Sequence, residues 1–180
     1  MLLVVDNGSI YTQNLIDFLK NSNLTFEKIT PYQLQIDSLE KYDSFILSGR
    51  RKNEKKINEI NSKIIQHSIK NNKKLLGICY GAEILSLTLG GTIKKLLSSQ
   101  KGNEEVSIQI KNDLINDKIK VFESHGFEIS KLPSSLISLG NSKNCKNEII
   151  QYKGKLIFGT QFHPEMSPDG KDLIIKFCKL

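Results

Sequence analysis

The first half of the chain alternates between short apolar runs and longer amphipathic segments. Continuous apolar runs that end in polar or glycine-containing turns are typical of buried parallel strands, and they predict strands over 2–5, 44–47 and 74–78, with a further strand near 25–29. Apolar positions at helical spacing predict helices over 10–19, 57–69 and 82–89, the last ending at Gly90 and Gly91. This alternation indicates a mostly parallel sheet with helices on both faces.

The pattern changes after about residue 92. Residues 106–110 alternate between apolar and polar side chains, and short segments at 119–122, 135–139, 148–152 and 156–159 predict further strands, followed by a last helix over 170–177. We therefore expect an α/β fold in which the second half adds partly antiparallel strands to the same central sheet. Because no repeat or linker divides the chain, residues 1–180 are expected to form a single domain.

Composition narrows the class of protein. No apolar run reaches the roughly 18 residues that a membrane-spanning helix needs, and residues 1–9 predict a strand rather than a signal peptide, so we expect a cytoplasmic protein without a membrane partner. The net charge of +7 is spread along the chain and aromatic residues make up only 7%. The densest basic stretch, 50–56, indicates a solvated face or a surface for an anionic partner, and no nucleic-acid site is expected.

The three cysteines, Cys79, Cys145 and Cys178, are too far apart to indicate a disulfide framework or a metal site. Cys145 and Cys178 are interpreted as buried apolar thiols. Cys79 differs because it lies in Gly-Ile-Cys-Tyr-Gly, between a predicted strand and a predicted helix. This is the form of a nucleophile elbow with cysteine as the nucleophile, and the helix N-terminus would favour a thiolate and an oxyanion. The alternative is a glycine-rich packing turn around a buried thiol.

A cysteine nucleophile needs a base, and the best of the three histidines is His163, in Gly-Thr-Gln-Phe-His-Pro-Glu. Side chains two residues apart in an extended chain point the same way, so His163 and Glu165 are predicted to face one cleft, with Pro164 keeping the chain extended. Glu165 would then orient the imidazole, as in a catalytic triad. His125 is assigned to a loop on the substrate side, with a role as alternative base left open, and His67 is expected to face solvent.

These motifs resemble the class I glutamine amidotransferases, the Cys-His-Glu glutaminase domains, and the resemblance spans essentially the whole chain. It rests on Val-Val-Asp-Asn-Gly-Ser-Ile-Tyr-Thr-Gln, Ile-Leu-Ser-Gly, Gly-Ile-Cys-Tyr-Gly, Ser-His-Gly and Gly-Thr-Gln-Phe-His-Pro-Glu. It implies that family's flavodoxin-like core. Within the family, Cys-Tyr-Gly, Ser-His-Gly and Tyr-Thr-Gln are most similar to the amidotransferase subunit of GMP synthase. The subunits of anthranilate and aminodeoxychorismate synthases rank second.

The resemblance implies a reaction and assigns residues to it. Cys79 would attack the carboxamide of glutamine, while the backbone N–H groups of Tyr80 and Arg50 hold the oxyanion. His163 would protonate the departing ammonia and then activate water to hydrolyse the thioester to glutamate. The positions implied for substrate binding are Gly49, Gly81, Glu83, Ser124, His125 and Gly126.

The same resemblance implies a partner. The ammonia would pass to a separate ATP-dependent synthetase subunit, which in GMP synthase aminates XMP, and the chain has no Gly-x-x-x-x-Gly-Lys-Ser/Thr loop of its own. No metal or organic cofactor is expected for this chain.

Two positions depart from the family pattern. Arg50 stands where the family usually has glycine, which predicts a change in the φ and ψ angles of that turn, and Glu83 stands where it usually has glutamine. Both changes predict a glutaminase that is weakened or dependent on its partner. They also leave two alternatives open: a relative of the γ-glutamyl hydrolases, and a non-catalytic regulatory homologue.

Overall fold

The computed structural model describes residues 1–180 as nine strands and four α-helices. The strands are β1 (Leu2–Val5), β2 (Phe26–Ile29), β3 (Ser44–Leu47), β4 (Lys74–Ile78), β5 (Thr92–Ile108), β6 (Ile119–Lys131), β7 (Leu136–Asn141), β8 (Ile149–Tyr152) and β9 (Ile157–Thr160). The helices are α1 (Thr12–Asn21), α2 (Lys55–Lys70), α3 (Tyr80–Thr88) and α4 (Pro168–Lys179). None of these helices is both long enough and apolar enough to cross a membrane.

All nine strands form one sheet, in the order β2-β1-β3-β4-β9-β8-β7-β5-β6. The first five strands of this order pair in parallel, and the remaining pairs are antiparallel. The predicted fold class, a parallel core extended by antiparallel strands from the second half, is confirmed.

Helices cover both faces of the parallel core, and each face has its own apolar cluster. On one face, α1 and α4 bury residues such as Leu15, Leu19 and Phe177 against the sheet. On the other face, α2 and α3 bury Ile64 and Leu85 against the alternate side chains of the same strands. Side chains of successive strand residues point to opposite faces, which is why continuous apolar runs such as β3 and β4 are needed between two layers of helices.

The largest difference from the predicted elements lies in β5 and β6. These strands pair over most of their length to form a long hairpin, whereas the alternation predicted strands only over 106–110 and 119–122. Most of the β5 side chains are polar and exposed or half-buried, so hydrophobic periodicity along this strand could not reveal the hairpin. In β6 alternate residues from Ile119 to His125 are buried, but Glu123 and His125 among them are polar. Ile10 is exposed and precedes α1, although it was placed within that helix.

Close contacts between glycines and backbone make the turn from β4 into α3 possible. A Cβ added to Gly77 would lie 2.4 Å from the backbone of Gly81, and one added to Gly81 would lie 2.3 Å from the carbonyl oxygen of Leu47. The helix therefore packs directly on the ends of β3 and β4, and any larger residue would push α3 away from the sheet.

We expect Gly81→Ala to lower the free energy of unfolding by about 1–3 kcal/mol, the usual range for overpacking a close-packed core. Urea denaturation measures this. Gly126→Ala is a matched control, because its added Cβ would meet only the Ser99 hydroxyl at 3.5 Å. Equal stability of the two variants would contradict this account of the turn.

Candidate active site

The candidate site lies where β4 and β9 end side by side. The two strands are parallel neighbours in which Ile78 is paired with Thr160, and the backbone N–H of Cys79 donates to the carbonyl of Thr160 at 2.7 Å. Carboxyl ends of parallel strands meet at one edge of a sheet, where α/β proteins bind their ligands. The cysteine after β4 and the histidine after β9 therefore emerge at the same edge.

Cys79 has the backbone conformation of a nucleophile elbow. Its φ of 50° and ψ of −101° lie outside the regions that residues with side chains usually occupy, a conformation that costs on the order of 1–3 kcal/mol and is concentrated at functional sites. The turn places the thiol at the N-terminus of α3, where the helix dipole favours negative charge.

His163 and Glu165 are in contact, as predicted, but along a different backbone path. Nδ1 of His163 lies 2.9 Å from Oε1 of Glu165, and both side chains are buried. The chain is extended only at His163, because Pro164–Met166 form a 3₁₀ turn. The expectation that Pro164 keeps the chain extended is therefore wrong. Since Nδ1 is engaged by the carboxylate, Nε2 is the ring nitrogen available to the thiol.

Cys79 and His163 line one cavity of about 300 Å³, together with Ser9, Ile10, Tyr11, Arg50, Arg51 and Ser124. A second cavity of about 220 Å³ also opens on Cys79. Its other lining residues are Arg50, Arg51, Asn53, Tyr80, Glu83, Ser124, His125, Gly126 and Phe127. The structure thus brings most of the positions assigned from the sequence to one region.

Two of the assigned glycines have packing contacts. A Cβ added to Gly49 would lie 3.0 Å from Cε1 of His163, so this glycine makes room for the imidazole. Gly81 packs against Leu47 and lines neither of the two cavities.

The environment of Cys79 favours the neutral thiol. Burial raises the pKa of Cys79 well above its ordinary value, and the negative charges of Glu83, Glu165 and Glu123 raise it further. A hydrogen bond from the Tyr80 backbone N–H acts in the opposite direction. A thiol in this setting needs a base that takes its proton as it attacks.

Glu83 is buried on α3, where its Oε1 accepts a hydrogen bond from Nε2 of Gln161 at 3.3 Å. Burial raises the pKa of Glu83, whereas the Gln161 hydrogen bond and the charges of Arg50, His125 and His163 lower it.

The other two histidines differ from their predicted settings. His125 lies within β6 rather than in a loop, with Nε2 2.9 Å from Oε2 of Glu123 and Nδ1 2.7 Å from the carbonyl of Phe127. Burial lowers the pKa of His125, but the hydrogen bond and charge of Glu123 outweigh it and the net shift is upward. The solvent-facing role expected for His67 is wrong, since its half-buried ring packs edge-on against Phe45.

Two residues of the site were not assigned from the sequence. The Tyr11 ring lies 4.6 Å from the His163 ring, centroid to centroid, and its hydroxyl donates to the Ser124 hydroxyl at 3.1 Å. Gln161 bridges Glu83 and the backbone N–H of Ile129. Both lie in motifs that carry the resemblance. Tyr11 directly precedes α1 and Gln161 directly follows β9, and membership of these motifs was the available signal.

Comparison with known proteins decides the family. The model of the family described as glutamine amidotransferase class-I matches residues 3–179. The chain belongs to this family. The resemblance inferred from the motifs is thereby confirmed.

Similar proteins align over the full length of the chain. A protein of Methanocaldococcus jannaschii named as a subunit of glutamine-hydrolyzing GMP synthase is 30% identical over all of this chain and 97% of that relative. The protein of the same name from Pyrococcus furiosus is 29% identical over all of this chain and 98% of that relative.

Solved structures have the same fold. A crystal structure described as a GMP synthase subunit from Thermoplasma acidophilum superposes with a TM-score of 0.87 at 26% identity, covering 99% of this chain and 92% of that one. A glutamine amidotransferase from Thermotoga maritima gives a TM-score of 0.77 at 21% identity, covering 97% and 80%, and shows the fold alone.

We expect Glu83→Gln to shift the pH dependence of Cys79 alkylation to lower pH. The substitution keeps the shape of the side chain and removes a negative charge that disfavours the thiolate, so the thiol should ionise more readily. Iodoacetamide labelling across a pH series, followed by quantification of the peptide that contains Cys79, measures the shift. Glu128→Gln is the control, because this buried carboxylate pairs with Lys94 and is not among the charges acting on Cys79. Superimposable profiles for Glu83→Gln and the wild type would rule out this electrostatic role.

Proposed function

We propose that this chain hydrolyses L-glutamine to glutamate and ammonia through a thioester on Cys79. The observation that carries the proposal is the position of Cys79, on a strained turn that opens into the same cavity as the buried His163–Glu165 pair. A nucleophile and a base that line one cavity, with a carboxylate in contact with the base, are the minimum machinery for acyl transfer.

The steps follow from the roles of these groups. As the Cys79 sulfur attacks the carboxamide carbon, Nε2 of His163 takes the thiol proton, and Glu165 stabilises the resulting imidazolium. The backbone N–H groups of Tyr80 and Arg50 would receive the oxyanion. Collapse of the tetrahedral intermediate breaks the C–N bond, and His163 returns its proton to the leaving ammonia. Water, activated by the same imidazole, then hydrolyses the thioester to glutamate and frees the thiol.

Because the pKa of Cys79 is raised, the imidazole of His163 is needed in this scheme to remove the thiol proton. A thiol whose pKa is raised in this way depends on a base to take its proton, and His163 is the base that lines the same cavity. Burial of the His163–Glu165 pair suits this task, because a carboxylate in a low-dielectric setting stabilises a neighbouring imidazolium more strongly than it could in water.

The cavity beside Cys79 is the proposed site for the rest of the substrate. Glu83 has one oxygen bonded to Gln161 and a second without a protein partner, which could accept from the α-ammonium group of glutamine. Ser124, His125 and Gly126 also line this cavity, and Gly49 leaves space for the catalytic ring.

We further propose that the ammonia goes to a separate ATP-dependent synthetase subunit, and that the pair is a GMP synthase converting XMP to GMP in the cytoplasm. Support comes from the full-length similarity to archaeal proteins named as subunits of glutamine-hydrolyzing GMP synthase. In this arrangement residues 1–180 act as one glutaminase domain.

Cys79→Ala is expected to reduce glutamate release from glutamine by at least about 10³-fold, because no other thiol lines either cavity of the site. The assay measures glutamate with and without the synthetase subunit. Cys178→Ala, which removes a half-buried thiol on α4, is the control and should keep wild-type activity. γ-Glutamyl peptides are assayed in parallel. A wild-type chain that releases no glutamate even with its partner, or that prefers the peptides, would refute the proposal.

A further inference from the structure

The side chains of Arg50 and Tyr80 are in direct contact beside the candidate nucleophile. The Arg50 guanidinium lies over the Tyr80 ring, 4.1 Å from its centroid. Both side chains also reach the same acceptor, because Oδ1 of Asn58 takes a hydrogen bond from Nη1 of Arg50 at 3.0 Å and one from the Tyr80 hydroxyl at 2.8 Å. Asn53 accepts a further bond from the guanidinium. We refer to Arg50, Asn58 and Tyr80 together as the Arg–Tyr clamp.

The clamp joins three elements of the fold at one point. Arg50 lies in the turn that follows β3, Asn58 is in the first turns of α2, and Tyr80 is the first residue of α3. A guanidinium can stack on a ring and donate in its own plane at the same time. This makes an arginine side chain suited to fixing the turn after β3 against the start of α3.

Arg50 occupies its position without backbone strain. Its φ is not among the positive values of the chain, so the turn does not require the left-handed conformation that favours glycine. The turn therefore accommodates arginine in an ordinary region of φ, and the predicted change in its φ and ψ angles relative to a glycine-containing turn stays a prediction. An isolated antiparallel bridge between Gly8 and Arg50 also holds the backbone there.

If the chain hydrolyses glutamine as proposed, on which this inference rests, these contacts bear on the geometry of the oxyanion hole. The two backbone donors assigned to the oxyanion belong to Arg50 and Tyr80, the residues whose side chains are joined. Such donors must lie about 2.7–3.1 Å from the position of the oxyanion to be effective. A contact that fixes one donor-bearing segment relative to the other controls that geometry.

We propose that Arg50 is a positioning residue, which acts through Tyr80 and Asn58 to hold the turn after β3 where its backbone N–H completes the oxyanion hole. The side chain does not touch the reacting atoms in this scheme. Its role is to hold, through these side-chain contacts, a turn in which arginine stands at the position where the family usually has glycine.

Three substitutions separate the parts of the clamp. Arg50→Lys keeps the charge but loses the planar stack and the fork of donors, Asn58→Ala removes the shared acceptor, and Tyr80→Phe keeps the ring but loses its bond to Asn58. Kinetics are measured with glutamine as substrate and the synthetase subunit present. We expect Arg50→Lys and Asn58→Ala to lower kcat about 10–100-fold with KM within about twofold of the wild type, because misplaced donors weaken transition-state binding. Tyr80→Phe should lower kcat less than either of these changes, because the ring that stacks on Arg50 is kept.

A second readout tests positioning rather than folding. Glutamate γ-semialdehyde adds to a cysteine thiol to form a tetrahedral hemithioacetal, whose oxygen occupies the oxyanion hole. Its inhibition constant should rise across the variants by the same factor by which kcat/KM falls. Because the clamp acts as a unit, Arg50→Lys combined with Asn58→Ala should cost little more than either change alone. Lys55→Ala is the control, since this exposed cation at the start of α2 pairs only with Glu59.

The outcomes separate this inference from the proposed function. An active wild type whose three variants keep wild-type kcat and aldehyde affinity overturns the clamp alone. A rise in KM with kcat unchanged also overturns it, since that result would make Arg50 a substrate-binding residue. If the loss of aldehyde affinity in each variant only follows the fall in its melting temperature, the clamp acts on stability alone and the positioning role is overturned. A wild type that hydrolyses no glutamine defeats both proposals together.

Discussion

The parallel pairing of β4 with β9 is the constraint on which the rest of the site depends. These strands are far apart in sequence, yet their register sets Ile78 beside Thr160 and joins Cys79 to Thr160 by a backbone hydrogen bond. A slip of one residue would turn every side chain of a strand to the opposite face, and the imidazole would leave the cavity of the thiol. The two helical layers make such a slip costly, because both faces of these strands are buried.

The site combines a strained nucleophile with an acidic setting. The elbow at Cys79 can be maintained because α3 packs closely on β3 and β4 at Gly77 and Gly81, whose contacts leave no room for a Cβ. Burial and the neighbouring carboxylates oppose the thiolate, so reactivity depends on the base rather than on a permanently ionised sulfur. The thiol therefore reacts when a substrate carbonyl is aligned with it, because the sulfur then forms a bond as it gives its proton to the base.

Sequence patterns predicted this fold well where burial determines structure. The bounds of β3 and β4 match because every residue of these strands except the first of β4 is buried, and a short apolar run that ends in a turn is typical of a strand covered on both faces. The β5–β6 hairpin was largely missed because most β5 side chains are polar and not buried, and because the buried positions of β6 include the polar residues Glu123 and His125. The His163–Glu165 contact was predicted from an extended chain, while the real path is a 3₁₀ turn, so two different backbones satisfy the same spacing. The contact of Arg50 with Tyr80 could not be predicted, because it depends on how the turn after β3, the start of α2 and the start of α3 pack together.

The most direct test of the account is to trap and locate the acyl intermediate. Acid quenching during turnover of glutamine, followed by peptide mapping with mass spectrometry, should find one γ-glutamyl group on the peptide that contains Cys79. In His163→Gln the same group should form far more slowly, because the thiol loses the base brought to it by β9. An adduct on Cys145 or Cys178, or an adduct on Cys79 that forms at the wild-type rate without His163, would contradict the convergence of the two strand ends as the origin of the chemistry.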